Sequence, residues 1–511
     1  MIRPAPASPI RRRELLLLIG PTLFFVAVYW GYGWLSTGAY NDDDLTHYLI
    51  ARWSWRHPEL LLDVWGRPAW TLLHAPIAPL GFAAARVWSA LLAGLVGLLS
   101  ALLARAYGVR WYWLAIPFVC LQPEWLRQGF STLTELAFGL ALVLAALAYR
   151  QRRWTLMALA AGWLPLARYE SVLILAMFIL VLLRERRWPL VGLALLPLLA
   201  WNGYWAAELG TWTRLLFPLD RVLFPAAASA SDYGTGPLWY YPSRLPVAFG
   251  GLILLLALRG ALRLRPDILH GCVLVTVGLL SLGYAFFPDA TAIAGYIRHL
   301  AMLAPIVGVW AAAGLEALVL PLSGRRGWLI RLALLGAGLS AGGLAAIAWR
   351  SRHELYVDSL AALALALLLL VWRPRPRDLP RLAAACVVVA ALGVGLRIRP
   401  FQLTPVQQAA AAAGRWVAEQ PPGSGLLIGT HPWMAYAWGG DVYDPQRYRQ
   451  INQAVIAGAP AGSLIVWDSH YSDRMIWQVP LSLLRDSPQF ALRRDLSGAG
   501  FQVYIYEKIA P

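Results

Sequence analysis

Of the 511 residues, 59% are hydrophobic and only 14% are charged, where a soluble domain carries roughly 25% charged residues. That balance argues against a water-soluble fold. The net charge of +17 is carried almost wholly by arginine, since Lys508 is the only lysine. The arginines fall in short clusters between apolar runs instead of along one basic face, which argues against a nucleic-acid partner and gives them the pattern of topology signals.

The chain opens on Arg11-Arg12-Arg13, followed by an apolar run from Leu15 to Trp34 that approaches the roughly 20 residues a membrane span needs. No small-x-small cleavage site follows, so we read an uncleaved first span and not a secretory signal. Apolar runs bounded by charge, proline or glycine then place spans near 14–35, 82–104, 111–123, 131–149, 154–167, 169–183 and 189–207. The series continues at 246–259, 268–287, 296–320, 328–348, 356–372 and 380–396. The expected fold class is an α-helical polytopic membrane protein of about 13 spans. The runs at 111–123, 154–167 and 169–183 are short enough to be broken or tilted.

Alternate connections carry the positive charge. They hold Arg11–Arg13, Arg105 with Arg110, Arg150 with Arg152 and Arg153, Arg184 with Arg186 and Arg187, and Arg259 with Arg263 and Arg265. Arg325 with Arg326, then Arg373, Arg375, Arg377 and Arg381, complete the series. By the positive-inside rule these loops and the amino terminus are cytoplasmic. An odd number of spans then leaves the carboxyl-terminal segment outside, and the expected location is the plasma (inner) membrane.

The long connections, 36–81 and 208–245, and the region from Pro400 to Pro511 fall on the outer side. The last has a soluble texture. A helix-like run from Thr404 to Glu419 stops at Pro421-Pro422-Gly423, and strand-like pieces follow at Gly425–Gly429, Ser463–Asp468 and Phe501–Tyr506. That order suggests a small α/β domain. The expected organisation is a membrane domain over residues 1–399, with a first outer loop at 36–81, and a soluble outer domain over residues 400–511.

Ionisable residues at membrane depth are costly and usually face a cavity or a partner. Asp42, Asp43, Asp44, Glu59, Asp63, Glu124, Glu135, Glu170, Glu208, Asp220, Asp232 and Asp289 all fall on the outer side or at outer span ends. Any chemistry is therefore expected outside. The densest feature is Tyr40-Asn41-Asp42-Asp43-Asp44-Leu45-Thr46-His47-Tyr48. It reads as a helix start, with Asn and Asp capping free amides ahead of a Leu45, Leu49, Trp53 face. It reads equally as a general base among like charges, or as oxygen ligands for a divalent metal.

Trp53, Trp55, Trp65 and Trp70 in the same loop fit a membrane interface. Arg168, beside Tyr169 and Glu170, and Arg298, beside His299, either snorkel, pair with a local acid, or bind the phosphate of a lipid. Glu135 is either a first-turn helix acid or a site residue. Cys120, Cys272 and Cys386 lie in apolar surroundings without metal-ligand spacing. Trp433, Trp438 and Trp467 serve core packing or sugar stacking.

Taken in order, these motifs resemble the GT-C superfamily of glycosyltransferases, and within it the dolichyl-phosphate-mannose mannosyltransferases. The resemblance covers most of residues 10–320 in layout. It is carried by Asp43-Asp44 with His47, Gly66-Arg67-Pro68, Leu133-Thr134-Glu135, Arg168-Tyr169-Glu170, and Arg298-His299-Leu300 leading to Pro305. The first acid of the superfamily falls on Asp43, or on Asp42 if the register slips by one, and Asp44 stands where Glu is frequent.

The resemblance implies inverting transfer of a single sugar, mannose or a similar hexose or pentose, from a polyprenyl-phosphate carrier to a glycan, lipid or protein acceptor. Asp43 would be the base. Arg298 and Arg168 would hold the departing phosphate, and His299, Glu170, Glu135, His47 and Arg67 would complete the binding set. No cofactor is implied beyond, at most, a divalent metal. A lipid or sugar flippase, an oligosaccharide ligase of the cell envelope and a non-enzymatic scaffold share parts of this pattern.

Overall fold

The structure, a computed structural model, describes residues 11–209, 234–286, 295–320, 324–352, 356–372, 374–421, 425–473 and 477–510. Asp220, Asp232, Asp289, Arg373, Pro422 and Gly423, which entered the sequence reading, lie outside the described residues.

All thirteen apolar runs are helical, but they differ in length. Among the described residues seven helices are long and apolar enough to cross a membrane: Arg12–Leu35, Phe82–Ala106, Trp188–Glu208, Ile268–Phe286, Ile297–Ala317, Gly327–Ser351 and Pro376–Arg397. An eighth is added if the pair Tyr240–Phe249 and Gly251–Arg263, bent by 109°, counts as one span. The protein is thus a multi-pass membrane protein.

The remaining runs are short for local reasons. Residues 111–123 split into a 3-10 turn and the helix Ala115–Cys120. Residues 154–167 divide at Trp163, where Leu164-Pro165 begins a new turn, because proline fits a helix start but not an interior. The run at 356–372 gives Val357–Val371.

The 109° bend has an identifiable clasp. Gly250, at φ +81°, ends one helix in a conformation that costs glycine little. The Asp358 Oδ2 then accepts the amide of Gly251 at 2.8 Å, capping the restarted helix as its free amides require. Arg397 lies with Nη1 3.7 Å from Asp358 Oδ1 and its guanidinium over the Tyr356 ring at 3.9 Å. The helices Gly251–Arg263 and Ala304–Ala317 cross in direct backbone contact. A Cβ at Gly260 would strike the Trp310 carbonyl, and one at Gly314 the Leu256 carbonyl, so small residues set this close approach.

The described residues fall into two compact units. The first comprises residues up to Gly33, Arg67–Leu73 and Arg86–Arg399; the second comprises Trp34–Gly66, His74–Ala85 and Pro400–Pro511. Most of the first connecting loop is therefore folded with the carboxyl-terminal region. The Phe401 carbonyl accepts the amides of Thr37 and Gly38 at 2.9 and 3.0 Å, and the Phe401 amide donates to Ser36 Oγ at 2.9 Å.

The expected carboxyl-terminal α/β domain is present. Its helix is Pro405–Glu419, and its strands are β1 (Leu427–Gly429), β2 (Tyr448–Gln450), β3 (Leu464–Asp468), β4 (Phe490–Asp495) and β5 (Val503–Lys508). They form one sheet in the order β2-β1-β3-β5-β4. β1 is parallel to β2 and β3, whereas β5 is antiparallel to β3 and β4. Two of the five strands, β2 and β4, carry no sequence signal: their burial patterns show exposed Arg449 and Gln450, and exposed Leu492 to Asp495. The core gathers Ile428, Ile451, Ile456, Ile465, Trp467, Val479 and Leu484. Lys508, the only lysine, is buried and donates to the Ala457 carbonyl at 2.8 Å, at the end of the helix Gln453–Gly458, where a cation complements the exposed carbonyls.

Candidate active site

The acidic turn belongs to the second unit. Asn41 is the extended N-cap of the helix Asp42–Trp53, and its Oδ1 accepts the Asp44 amide at 3.3 Å. Asp44 reciprocates, its Oδ2 accepting the Tyr40 amide at 3.0 Å, and its side chain is fully buried. The exchange differs from a capping box in that Asp44 takes the amide of Tyr40, one residue before the cap.

Asp42 is held from another part of the chain. Its Oδ1 accepts from Gln407 Nε2 at 3.0 Å and its Oδ2 from the Tyr471 hydroxyl at 2.8 Å. Asp43 is half-buried and accepts from Asn41 Nδ2 at 3.1 Å. His47 is buried, its ring 6.5 Å from that of Trp65 and tilted by 20°. Both readings of the segment are thus compatible: the turn is a capped helix start, and it presents carboxylates in fixed positions.

The second set of site residues lies in the first unit. Glu135 is the first residue of the helix Glu135–Arg150, where the helix dipole favours a carboxylate. Arg168 is an extended residue between the turn Leu164–Ala167 and the 3-10 turn Tyr169–Ser171. It lies 3.4 Å from Glu135 and 2.7 Å from Glu170. Arg298, in the 3-10 helix Ile297–Leu303, has Nε 3.7 Å from the same Glu135 oxygen. Arg67 sits over the Tyr169 ring at 3.6 Å, and Tyr169 in turn stacks on Trp201 at 5.6 Å. Arg67 adopts φ +60°, a left-handed conformation that a non-glycine residue keeps only where its surroundings hold it.

Arg67, Arg168, Glu135, Arg298 and His299 are all buried. Of the alternatives for Arg168 and Arg298, burial speaks against snorkelling, and Arg168 forms the local ion pair with Glu170. Among the described residues three guanidinium groups and two carboxylates share this buried cluster. The Arg168 Nε, Glu135 Oε2, Glu170 Oε2 and His299 Nδ1 are buried without a hydrogen-bond partner, a state that native structures rarely leave unfilled. A cleft walled by Phe138, Ile174, Leu280 and Met302 includes Arg168 and Glu170 in its lining.

Among the described residues no group of three or more His, Cys, Asp and Glu is placed to hold a metal ion. The three cysteines are buried and free. Trp70, Trp433 and Trp467 are core residues, whereas Trp438 is half-buried against Tyr448.

Sequence reasoning missed Gln407 and Tyr471. Gln407 carries a visible signal as the last residue of the Thr404-Pro-Val-Gln407 capping box; Tyr471 carries none, because only the fold brings it to Asp42. Nearby, His431 is buried, its Nδ1 accepting the Trp433 amide at 3.2 Å.

Burial holds the His431 imidazole below its ordinary value of 6.5, against the pull of Asp42 and Asp468. The unfolded chain takes up this proton near 6.5 and the folded chain only at lower pH, so stability is full above that value and falls as the pH drops below it. The thermal midpoint, followed by circular dichroism, is expected to fall between about pH 7 and 5 and to fall less in His431→Gln. An equal fall in both would assign the effect to other groups.

Helices of these lengths, with the broken spans and the carboxyl-terminal sheet, make up a fold that solved structures also show. Two solved structures share it: ArnT from Cupriavidus metallidurans in the apo state, with TM-score 0.57 and 14% identity over 96% of this chain and 99% of that one, and ArnT from the same organism bound to undecaprenyl phosphate, with TM-score 0.57 and 12% identity over 97% and 98%. In sequence the chain is 28% identical over 190 residues to a Drosophila melanogaster protein, Dol-P-Man:Man(7)GlcNAc(2)-PP-Dol alpha-1,6-mannosyltransferase. That match covers 35% of this chain and spans only 26% of the relative's length. No protein-family pattern matches the chain.

Proposed function

We propose that this protein is a membrane glycosyltransferase that moves a single sugar, mannose or a similar hexose or pentose, from a polyprenyl-phosphate carrier to a glycan, lipid or protein acceptor, with inversion. The observation that carries the reading is the buried cluster of Arg67, Arg168 and Arg298 against Glu135 and Glu170. Arginine forks match phosphate oxygens, and Arg168 lines a small cleft beside Phe138, Ile174, Leu280 and Met302. The fold shared with ArnT, solved with undecaprenyl phosphate, and the local match to an enzyme named for Dol-P-Man support the same class of donor.

In this reading Asp43 takes the proton of the acceptor hydroxyl as that oxygen attacks the anomeric carbon. The carbon–oxygen bond to phosphate breaks on the opposite face, and the polyprenyl phosphate departs with its charge held by Arg298 and Arg168. Asp42 and Asp44, the other two acids of the turn, are the alternative bases. The amino terminus lies in the cytoplasm and the acidic turn and sheet domain outside, in the plasma (inner) membrane. A flippase reading keeps the lipid-phosphate cluster and gives the acidic turn only its structural part in the helix start.

Arg298→Ala is expected to raise the KM for a polyprenyl-phosphate sugar by about 10- to 100-fold, measured in detergent with a labelled donor. A KM equal to the parent's would remove Arg298 from the phosphate site.

A further inference from the structure

We propose that Tyr471 and Gln407, from the carboxyl-terminal domain, are positioning residues that act through Asp42 to fix the Asp42-Asp43 turn for proton abstraction. The inference rests on the transferase reading above and adds to it a catalytic task for the sheet domain.

Both donors are themselves built in. Gln407 uses its two amide ends separately: Oε1 accepts the Thr404 amide at 3.1 Å within the helix cap, which leaves Nε2 directed to Asp42 Oδ1 at 3.0 Å. The Thr404 Oγ1 accepts the Gln407 amide in return, so the orientation of the side chain is set by the helix start.

Tyr471 follows β3. Asp468, buried at the end of that strand, accepts the amides of His470 and Tyr471 at 3.0 and 2.8 Å. This turn delivers the Tyr471 ring between His431, whose ring meets it edge-on at 5.3 Å, and Trp477 at 5.7 Å. Its hydroxyl donates to Asp42 Oδ2 at 2.8 Å. Burial and the neighbouring Asp42 push the Tyr471 hydroxyl well above its ordinary value, so it stays a donor throughout the working pH range.

With both oxygens of Asp42 engaged, and the Asp42 carbonyl accepting from Thr46 Oγ1 at 3.0 Å, the first helical residue cannot rotate. Asp43 follows it directly in the chain. A base placed on a turn locked from two sides is preorganised, which is where small displacements cost the most rate.

The test uses the full-length protein. Tyr471→Phe removes one oxygen and should lower kcat by about 10- to 100-fold, with the KM for the polyprenyl-phosphate donor unchanged and the protein still folded. In an Asp42→Ala background, which should retain residual turnover, Tyr471→Phe should have no further effect. Parent-like kcat in Tyr471→Phe, or the same loss in both backgrounds, would overturn the proposal. So would complete loss in Asp42→Ala equal to that of Asp43→Asn, because Asp42 would then be the base.

Amide hydrogen exchange over residues 42–48 should be faster in Tyr471→Phe with Gln407→Leu than in the parent, and equal exchange would also overturn it. Exchange needs no turnover. Faster exchange in a protein that transfers no sugar would therefore overturn the transferase reading and leave the clamp standing.

Discussion

Asp43→Asn is expected to lower sugar transfer by about 10²- to 10⁴-fold, the range a positioned general base supplies, while leaving the protein folded. The substitution is isosteric, and the amide oxygen still accepts the hydrogen bond that Asn41 Nδ2 gives at 3.1 Å, so the helix start at Asp42 survives. What is lost is the capacity to take a proton. The rate of labelled sugar transfer and the thermal midpoint together separate chemistry from folding. Turnover within a few-fold of the parent would take the base away from Asp43.

Arg168→Leu is expected to cost about 3–5 kcal/mol of stability, because removing one partner from a buried ion pair leaves the other charge uncompensated. Here two carboxylates lose their nearest guanidinium nitrogens: Glu170 at 2.7 Å and Glu135 at 3.4 Å, with side chains only 8% and 1% exposed. Arg298 remains beside Glu135 at 3.7 Å and the Arg67 charge remains near Glu170, which offset part of the loss. Folded yield and thermal midpoint in detergent measure the effect. A surface arginine would show a change within about 0.5 kcal/mol, and that result would return Arg168 to snorkelling.

Much of the architecture was legible because membrane helices announce themselves by length and composition alone. Each of the thirteen apolar runs is helical. The capped start at Asn41 and the helix after Thr404 follow from local hydrogen bonding and were equally readable. What was hidden depends on contacts far apart in the chain. β2 has three residues and β4 faces solvent along most of its length, so neither shows the alternation that marks a strand. Arg168 beside Glu170 can be suspected from two residues of separation, but their common burial with Glu135, 33 positions away, cannot. Tyr471 reaches Asp42 across 429 positions, and no spacing rule would find it.

The fate of the lipid donor separates a transferase from a flippase most directly. Purified protein in vesicles, given a polyprenyl-phosphate-linked sugar and a mixture of cell-envelope acceptors, should convert the donor to free polyprenyl phosphate as the sugar appears on an acceptor with inverted anomeric configuration. Asp43→Asn should leave the donor intact. Redistribution of unbroken donor between the two leaflets, with no polyprenyl phosphate released, would contradict the transferase and identify a flippase instead.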